Sequence, residues 1–245
     1  MRKLLASMVV VATALVIGPT LAADIPDYPD IEIPEVDYGL GGSFYLRGSA
    51  AINLHWAKEV VHPSVPESYA VNQLGYGYSW GAGFGYETGD GLRFDATIDS
   101  VETKGLRITK TAGPFPGDYT LMLRSTVALA NIYYDFGLGG DGFGYKGSGG
   151  AFGYVGAGAG VAWNHAEANV PIGNFIPTGG NISPAGALMA GVGYDMGTWV
   201  ADLGYRALYI HQVNNSPTDP ATDSYYEVNN NFIHELRGTI RYRFN

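Results

Sequence analysis

At 245 residues the chain has room for one β-barrel domain or two small domains, and it carries 23 acidic against 14 basic residues, a net charge of −9, and no cysteine. The acidic balance excludes nucleic acid as a partner, because phosphate binding needs a basic stripe, and the lack of cysteine excludes disulfide staples and thiolate chemistry. No run near 20 apolar residues occurs, so ordinary membrane-spanning helices are excluded as well, while a mean hydropathy of zero suits strands whose apolar and polar faces cancel.

The first segment, 1–22, reads as a secretory signal peptide. Arg2 and Lys3 form a short basic region, 4–17 is apolar but too short to span, and Thr20, Leu21 and Ala22 make a small-residue cleavage site, with cleavage after Ala22 or, alternatively, Ala23. Its removal leaves 12 basic against 23 acidic residues, a net of −11. Residues 23–42 follow as an acidic leader, with six acidic residues and Pro26, Pro29 and Pro34 within 23–37, too polar and proline-broken to pair in a sheet.

From 43 to 245 the chain reads as a single barrel domain. Strands are expected at 43–56, 75–88, 91–102, 119–136, 151–164, 185–195, 198–212 and 232–244. In the first, Phe44, Leu46, Gly48, Ala50, Ile52, Leu54 and Trp56 share one face, and Tyr45, Arg47, Ser49, Asn53 and His55 the other. Tyr76, Tyr78, Trp80, Ala82, Phe84 and Tyr86 oppose five glycines and Ser79; Leu92, Phe94, Ala96 and Ile98 oppose Arg93, Asp95, Thr97 and Asp99. The fourth to sixth strands sort less cleanly, because Ser125 and Asn131 interrupt the Leu121, Leu123, Val127, Leu129, Tyr133 face and Gly156, Gly158 and Gly160 dilute the fifth. Trp199, Ala201, Leu203, Tyr205, Ala207 and Tyr209 oppose Asp202, Gly204 and Arg206, and in the last strand His234, Leu236, Gly238, Ile240, Tyr242 and Phe244 oppose Glu235, Arg237, Thr239, Arg241 and Arg243. Apolar faces free of charge, opposite charged faces, are the pattern of transmembrane β-strands.

Aromatic spacing supplies a length. Tyr76 and Tyr86, and Trp199 and Tyr209, lie ten residues apart and Phe44 and Trp56 twelve, which at a rise of roughly 3.3 Å and a tilt near 40° covers about 25–30 Å of membrane normal. The connections 57–74, 103–118, 165–184 and 213–231 are long, whereas 89–90 and 196–197 are two-residue hairpin links. This asymmetry predicts an all-β fold: an eight-stranded antiparallel up-and-down transmembrane β-barrel with long external loops and both termini in the periplasm. The alternative, a soluble barrel of the lipocalin kind, would place lysine and glutamate on its polar strand faces, yet Lys58, Lys104, Lys110 and Lys146 all fall in the expected connections.

Inward charges are the constellation that stands out: Arg47, Arg93, Arg124, Arg206, Arg237, Arg241 and Arg243 against Asp95, Asp99, Asp202 and Glu235. A barrel of this width is just filled by side chains, so these charges are expected to pair across a plugged lumen. The excess of arginine leaves a positively biased solute path as the sharper alternative.

The chain resembles the small alphaproteobacterial outer-membrane β-barrel proteins, the outer-membrane immunogenic or opacity-type porin family, and more distantly the transmembrane domain of OmpA. The resemblance rests on Ala22-Ala23-Asp24-Ile25-Pro26, on Gly42-Ser43-Phe44-Tyr45-Leu46-Arg47-Gly48, and on Arg237-Gly238-Thr239-Ile240-Arg241-Tyr242-Arg243-Phe244. It implies a location in the outer membrane of a Gram-negative bacterium and insertion by the assembly machinery, which reads alternate aromatics at the end of the last strand. The family usually ends on phenylalanine, whereas Asn245 follows Phe244 here.

Other motifs offer less. Gly142-Phe143-Gly144-Tyr145-Lys146-Gly147 fits the dinucleotide fingerprint by letter, but no helix follows to hold a phosphate, so it reads as a flexible turn. His55, His62, His165, His211 and His234 show no metal-ligand spacing, and Asp219, Asp223, Glu227 and Asn229 to Asn231 could offer oxygens to calcium but lack the EF-hand pattern. A lipid-modifying enzyme would need serine, histidine and an acid together; His211 is the strongest candidate base, with Ser216 and Asp219 near in sequence only. No catalytic, cofactor or metal site is therefore expected. The reading is a non-enzymatic structural surface protein, with outer-membrane lipid and lipopolysaccharide as surroundings, a loop-bound external ligand as a further partner, a narrow solute channel as the alternative and an outer-leaflet lipid enzyme third. No wall-binding domain is expected after the last strand, so any wall contact would use the leader.

Overall fold

The computed structural model describes residues 42–61, 69–111, 117–138, 149–169, 178–215 and 226–244. The expected signal segment, the leader up to residue 41, the 142–147 glycine motif, His62, Ser216, Asp219 and Asp223 lie outside these residues.

Among the described residues nine antiparallel strands are formed: β1 (Ser43–Val61), β2 (Tyr69–Gln73), β3 (Gly75–Glu87), β4 (Leu92–Lys110), β5 (Gly117–Gly137), β6 (Gly150–Asn169), β7 (Gly179–Asp195), β8 (Trp199–Asn214) and β9 (Glu227–Phe244). The ladders run β4-β3-β1-β9-β8-β7-β6-β5, and β5 pairs back onto β4, so the sheet closes. β2 adds no ninth position to the ring. It continues β3 past a break at Leu74 and pairs with β4 beyond it. The expected eight-stranded barrel is thus the observed one, sealed between first and last strands by a ladder from Phe44↔Phe244 to Val61↔Glu227.

Both short turns form, but the connections between strand ends, 88–91 and 196–198, are longer than the expected two-residue links. Gly89 and Gly91 (φ 85° and 101°) and Gly197 (φ 89°) take left-handed conformations that side-chain-bearing residues adopt at a cost. Between the first pair, the Asp90 carboxylate accepts the Thr88 hydroxyl and, more weakly, the Leu92 amide, which holds it below the usual carboxylate range.

Strand parity meets the environment as read for the clean strands. Phe44, Leu46, Ile52, Leu54, Tyr76, Trp80, Phe84, Ile98, Leu203, Leu236 and Ile240 are exposed on the outside, and no ion pair lies among them. The aromatic residues form two girdles. At the turn end Phe44 packs on Tyr86 and Trp199 on Tyr242, both with ring centroids 4.9 Å apart, and Tyr242 meets Phe244 at 5.3 Å. At the loop end Phe232 lies between Trp56 (5.6 Å) and Tyr209 (5.1 Å).

Most strands outrun the expected boundaries, chiefly towards the long loops. β4 continues to Lys110 and β5 begins at Gly117, so most of the 103–118 connection is sheet; β1 reaches Val61, β6 Asn169, and β7 and β9 start at Gly179 and Glu227. Lys58 lies on β1 and Lys104 and Lys110 on β4, not in connections, and Lys110 is buried. The reason is a reversal of polarity. Beyond the loop-end girdle the outside carries Lys58, Glu59, Lys104, Arg107, Asp118, His165, Glu167 and His211, all exposed, while the inside is lined by a continuous apolar cluster including Ala57, Val60, Leu106, Ile108, Leu121, Leu208, Ile210 and Val228. A bulge resets the alternation on β4, where Gly105 (φ 77°) shifts the β4–β5 register, whereas on β9 Asn230 (φ 54°) interrupts the pairing with β1 and β8 without changing its register.

Candidate functional site

The inward face of the turn-end half is a single field of charge. β4 supplies Arg93, Asp95 and Asp99 at alternate positions, β9 supplies Glu235, Arg237, Arg241 and Arg243, and β8 supplies Asp202 and Arg206, because each strand presents every second residue inward. Arg47 donates to Asp95 at 2.7 Å and to the Tyr133 hydroxyl at 2.9 Å. Arg93 binds Asp135 through two bonds of 3.1 and 2.9 Å, with its guanidinium 4.1 Å from the centre of the Tyr133 ring.

At mid-height Asp99 and Glu235 each receive two arginines. Arg206 and Arg237 both reach Asp99 at 2.7 Å, and both bind Glu235, Arg237 at 3.0 Å. All four are buried, and Ser79 donates its hydroxyl to the remaining oxygen of Glu235. A carboxylate removed from water is retained in charged form only when opposite charge and hydrogen bonds replace the water, and this square supplies both. Towards the turns Arg241 donates to Glu87 at 3.1 Å and approaches Asp202 at 3.8 Å, while Arg243 binds Glu87, Asp195 (2.6 Å) and the Gly197 carbonyl (2.9 Å).

Two expectations are corrected. Arg124 points outward, its side chain 59% exposed, and pairs with Glu102 on the neighbouring strand. β5 turns Leu121, Leu123, Val127, Leu129 and Tyr133 inward, so the other parity, with Arg124, faces out. Second, the positive bias vanishes: Glu87, Asp135 and Asp195 join the lumen, so six inward arginines in this field meet seven acids. Each of these three acids sits at the turn end of its strand with inward parity, and extending the alternation from Gly85, Tyr133 or Gly193 would have found it.

The glycines complete the fit. A side chain at Gly81 would meet the Asp99 carboxylate, one at Gly83 would meet Thr97 and Arg47, and one at Gly204 would meet the Tyr154 hydroxyl, so inward glycines on one strand give volume to large polar groups on the next. Among the described residues, a cavity within the lumen beside His55 has room for a single water molecule.

The other candidates are placed elsewhere. His211 is exposed and meets the hydroxyl of Tyr209 two residues away at 3.2 Å. His165 lies outside beside Glu167, and His234 faces outward against Tyr205. The oxygens of Asn229, Asn230 and Asn231 accept from Gln212, Tyr209 and His55 respectively, so that run serves the β8–β9 and β1–β9 boundaries.

A closed antiparallel ring with an apolar exterior band, two aromatic girdles and a charged interior defines the class: a transmembrane β-barrel, the kind of protein built into the outer membrane of Gram-negative bacteria. No protein-family profile and no curated protein matches the chain. Among solved structures, the outer membrane protein OprG from Pseudomonas aeruginosa is similar at a TM-score of 0.50 and 13% identity, over 83% of this chain and 97% of that one. Neisserial surface protein A aligns over 83% of this chain and 99% of its own at 23% identity and a TM-score of 0.49, and AlkL, determined in lipid bilayers, over 93% and 98% at 11% and 0.44. The OprG likeness identifies the fold, that of small outer-membrane barrels.

Proposed function

We propose that the chain is a non-enzymatic structural protein of the outer membrane, closed to solutes, which carries its long loops on the cell surface for contact with the outside. The observation that supports this most is the balance of the lumen: six arginines and seven acids interlock from the turns to mid-height, and an apolar cluster fills the space above them. A channel needs a continuous wet path, and charge already neutralised by partners offers neither the field nor the room for one. The alternative of a positively biased channel loses its premise once Arg124 is outside and three further acids are inside.

Lipopolysaccharide is the proposed lipid neighbour at the loop end. The register there aligns Tyr78, Glu102, Arg124 and His165 in one row on the outer surface, directly beyond the row that holds Trp80 and Trp163. Arg and Lys next to interfacial aromatic residues sit at headgroup depth. Ile240, Tyr242 and Phe244 supply the alternation the assembly machinery is proposed to read, and the leader is proposed to lie in the periplasm once the signal segment is removed.

Planar-bilayer recording of the refolded protein tests the closed reading. No steady conductance is expected, and stable anion-selective current would overturn it. Protease applied to intact cells tests the orientation: cleavage is expected within 62–68, 112–116, 170–177 or 216–225 and not within 139–148.

A further inference from the structure

We infer that the upper lumen holds one ordered water molecule, bound to Nδ1 of His55. His55 is 1% exposed, and its Nε2 lies 2.9 Å from Oδ1 of Asn231. The amide of Asn231 is oriented by its own partners: its nitrogen donates to the carbonyls of Val228 (2.7 Å) and Ile210 (3.3 Å), which leaves the oxygen only as an acceptor. Nε2 of His55 therefore carries the proton and donates, and in a neutral ring Nδ1 is left as a bare acceptor.

Nδ1 is buried and has no hydrogen-bonding partner among the described residues. The nearby hydroxyls cannot serve, because each is already committed as a donor: Thr103 to Asn53 at 3.4 Å and Ser125 to Asn164 at 2.7 Å. A second proton on the ring does not resolve the shortage, since no carboxylate lines the cavity to balance a buried imidazolium. An unsatisfied buried acceptor costs about 1–3 kcal/mol.

The same cavity has the volume of one water, and its polar lining is His55, Thr103, Ser125 and Asn231 among apolar neighbours such as Leu123 and Ile210. A water there donates one proton to Nδ1, and the hydroxyl oxygens of Thr103 and Ser125 keep lone pairs to accept the other. The position also joins two hydrogen-bonded chains that stop on either side of it. One runs from Glu235 through Ser79 and Asn53 to Thr103, and the other from Ser125 through Asn164 and Ser183 to the carbonyl of Gln212. The water is the link that carries polar order from the charged half of the lumen through the apolar half.

Nitrogen-15 histidine labelling of the full-length refolded protein in lipid nanodiscs tests this, with the His55 signal identified by its loss in H55Q. The expected result is a ring protonated at Nε2, with Nδ1 at the shift of a hydrogen-bonded acceptor and magnetisation transfer from water to the ring despite its burial. A ring protonated at Nδ1, or an Nε2-protonated ring without water contact, would overturn the inference. A crystal structure with the cavity dry would do the same.

Discussion

The two halves of this barrel share the same strands and opposite chemistry. Near the turns the wall is apolar outside and charged inside; past the loop-end girdle it is charged outside and apolar inside, as in a water-soluble barrel. β4 shows both states within one strand, with Ile98 exposed to lipid and Asp99 buried below the change, Arg107 exposed and Ile108 buried above it. The backbone ladder continues through the reversal, so closure by hydrogen bonding is common to both halves and the surrounding phase alone selects the side chains. The strands that project beyond the membrane hold the loops on a rim with its own apolar core.

The two interiors should fail differently. Glu235→Leu removes one of the two carboxylates that Arg206 and Arg237 share in the charged half, and breaking buried pairs in this way costs up to roughly 3–5 kcal/mol. The arginines keep Asp99 as their one shared carboxylate, so the expected outcome is a drop in the temperature at which the folded gel band is lost, with intermittent conductance in bilayers. Unchanged melting and silence would mean the square contributes little.

In the apolar half Leu121→Ala removes a side chain that is 1% exposed and leaves a cavity, at a cost of about 2–5 kcal/mol. Urea unfolding in detergent should show the loss. Bilayer recordings should stay silent, because the charged layer below is intact; leakage from this variant would shift the seal to the rim.

The outer surface sharpens the boundary between the halves. Ile98→Arg places a charge in the lipid-facing band, at about 2–4 kcal/mol near the midplane, and should lower yield in the outer membrane. Arg124→Ala removes an arginine that is also outward but above the girdle, and should cost less than about 1 kcal/mol because its pair with Glu102 lies on the polar outer surface, with the arginine 59% exposed. Equal effects of the two would mean that the polarity reversal is misplaced.

Alternation alone determined the class of the fold. Where one face meets lipid and the other meets charge or glycine, as in β1, β3, β4, β8 and β9, parity is readable from single residues, and short glycine turns set the hairpins. It did not determine β5. Both of its faces carry apolar residues, so nothing local says whether Leu121 or Arg124 points inward, and only closure against β4 and β6 decides. Nor could it mark where strands end, because a strand leaving the membrane exchanges its polar and apolar faces and so reads as a loop, as 103–110 of β4 does. The pairing of charges was out of reach for a third reason. Asp99 meets Arg206 and Arg237 across 107 and 138 residues of chain, and that proximity exists only once the sheet has curled shut and brought β4, β8 and β9 to face one another across the lumen.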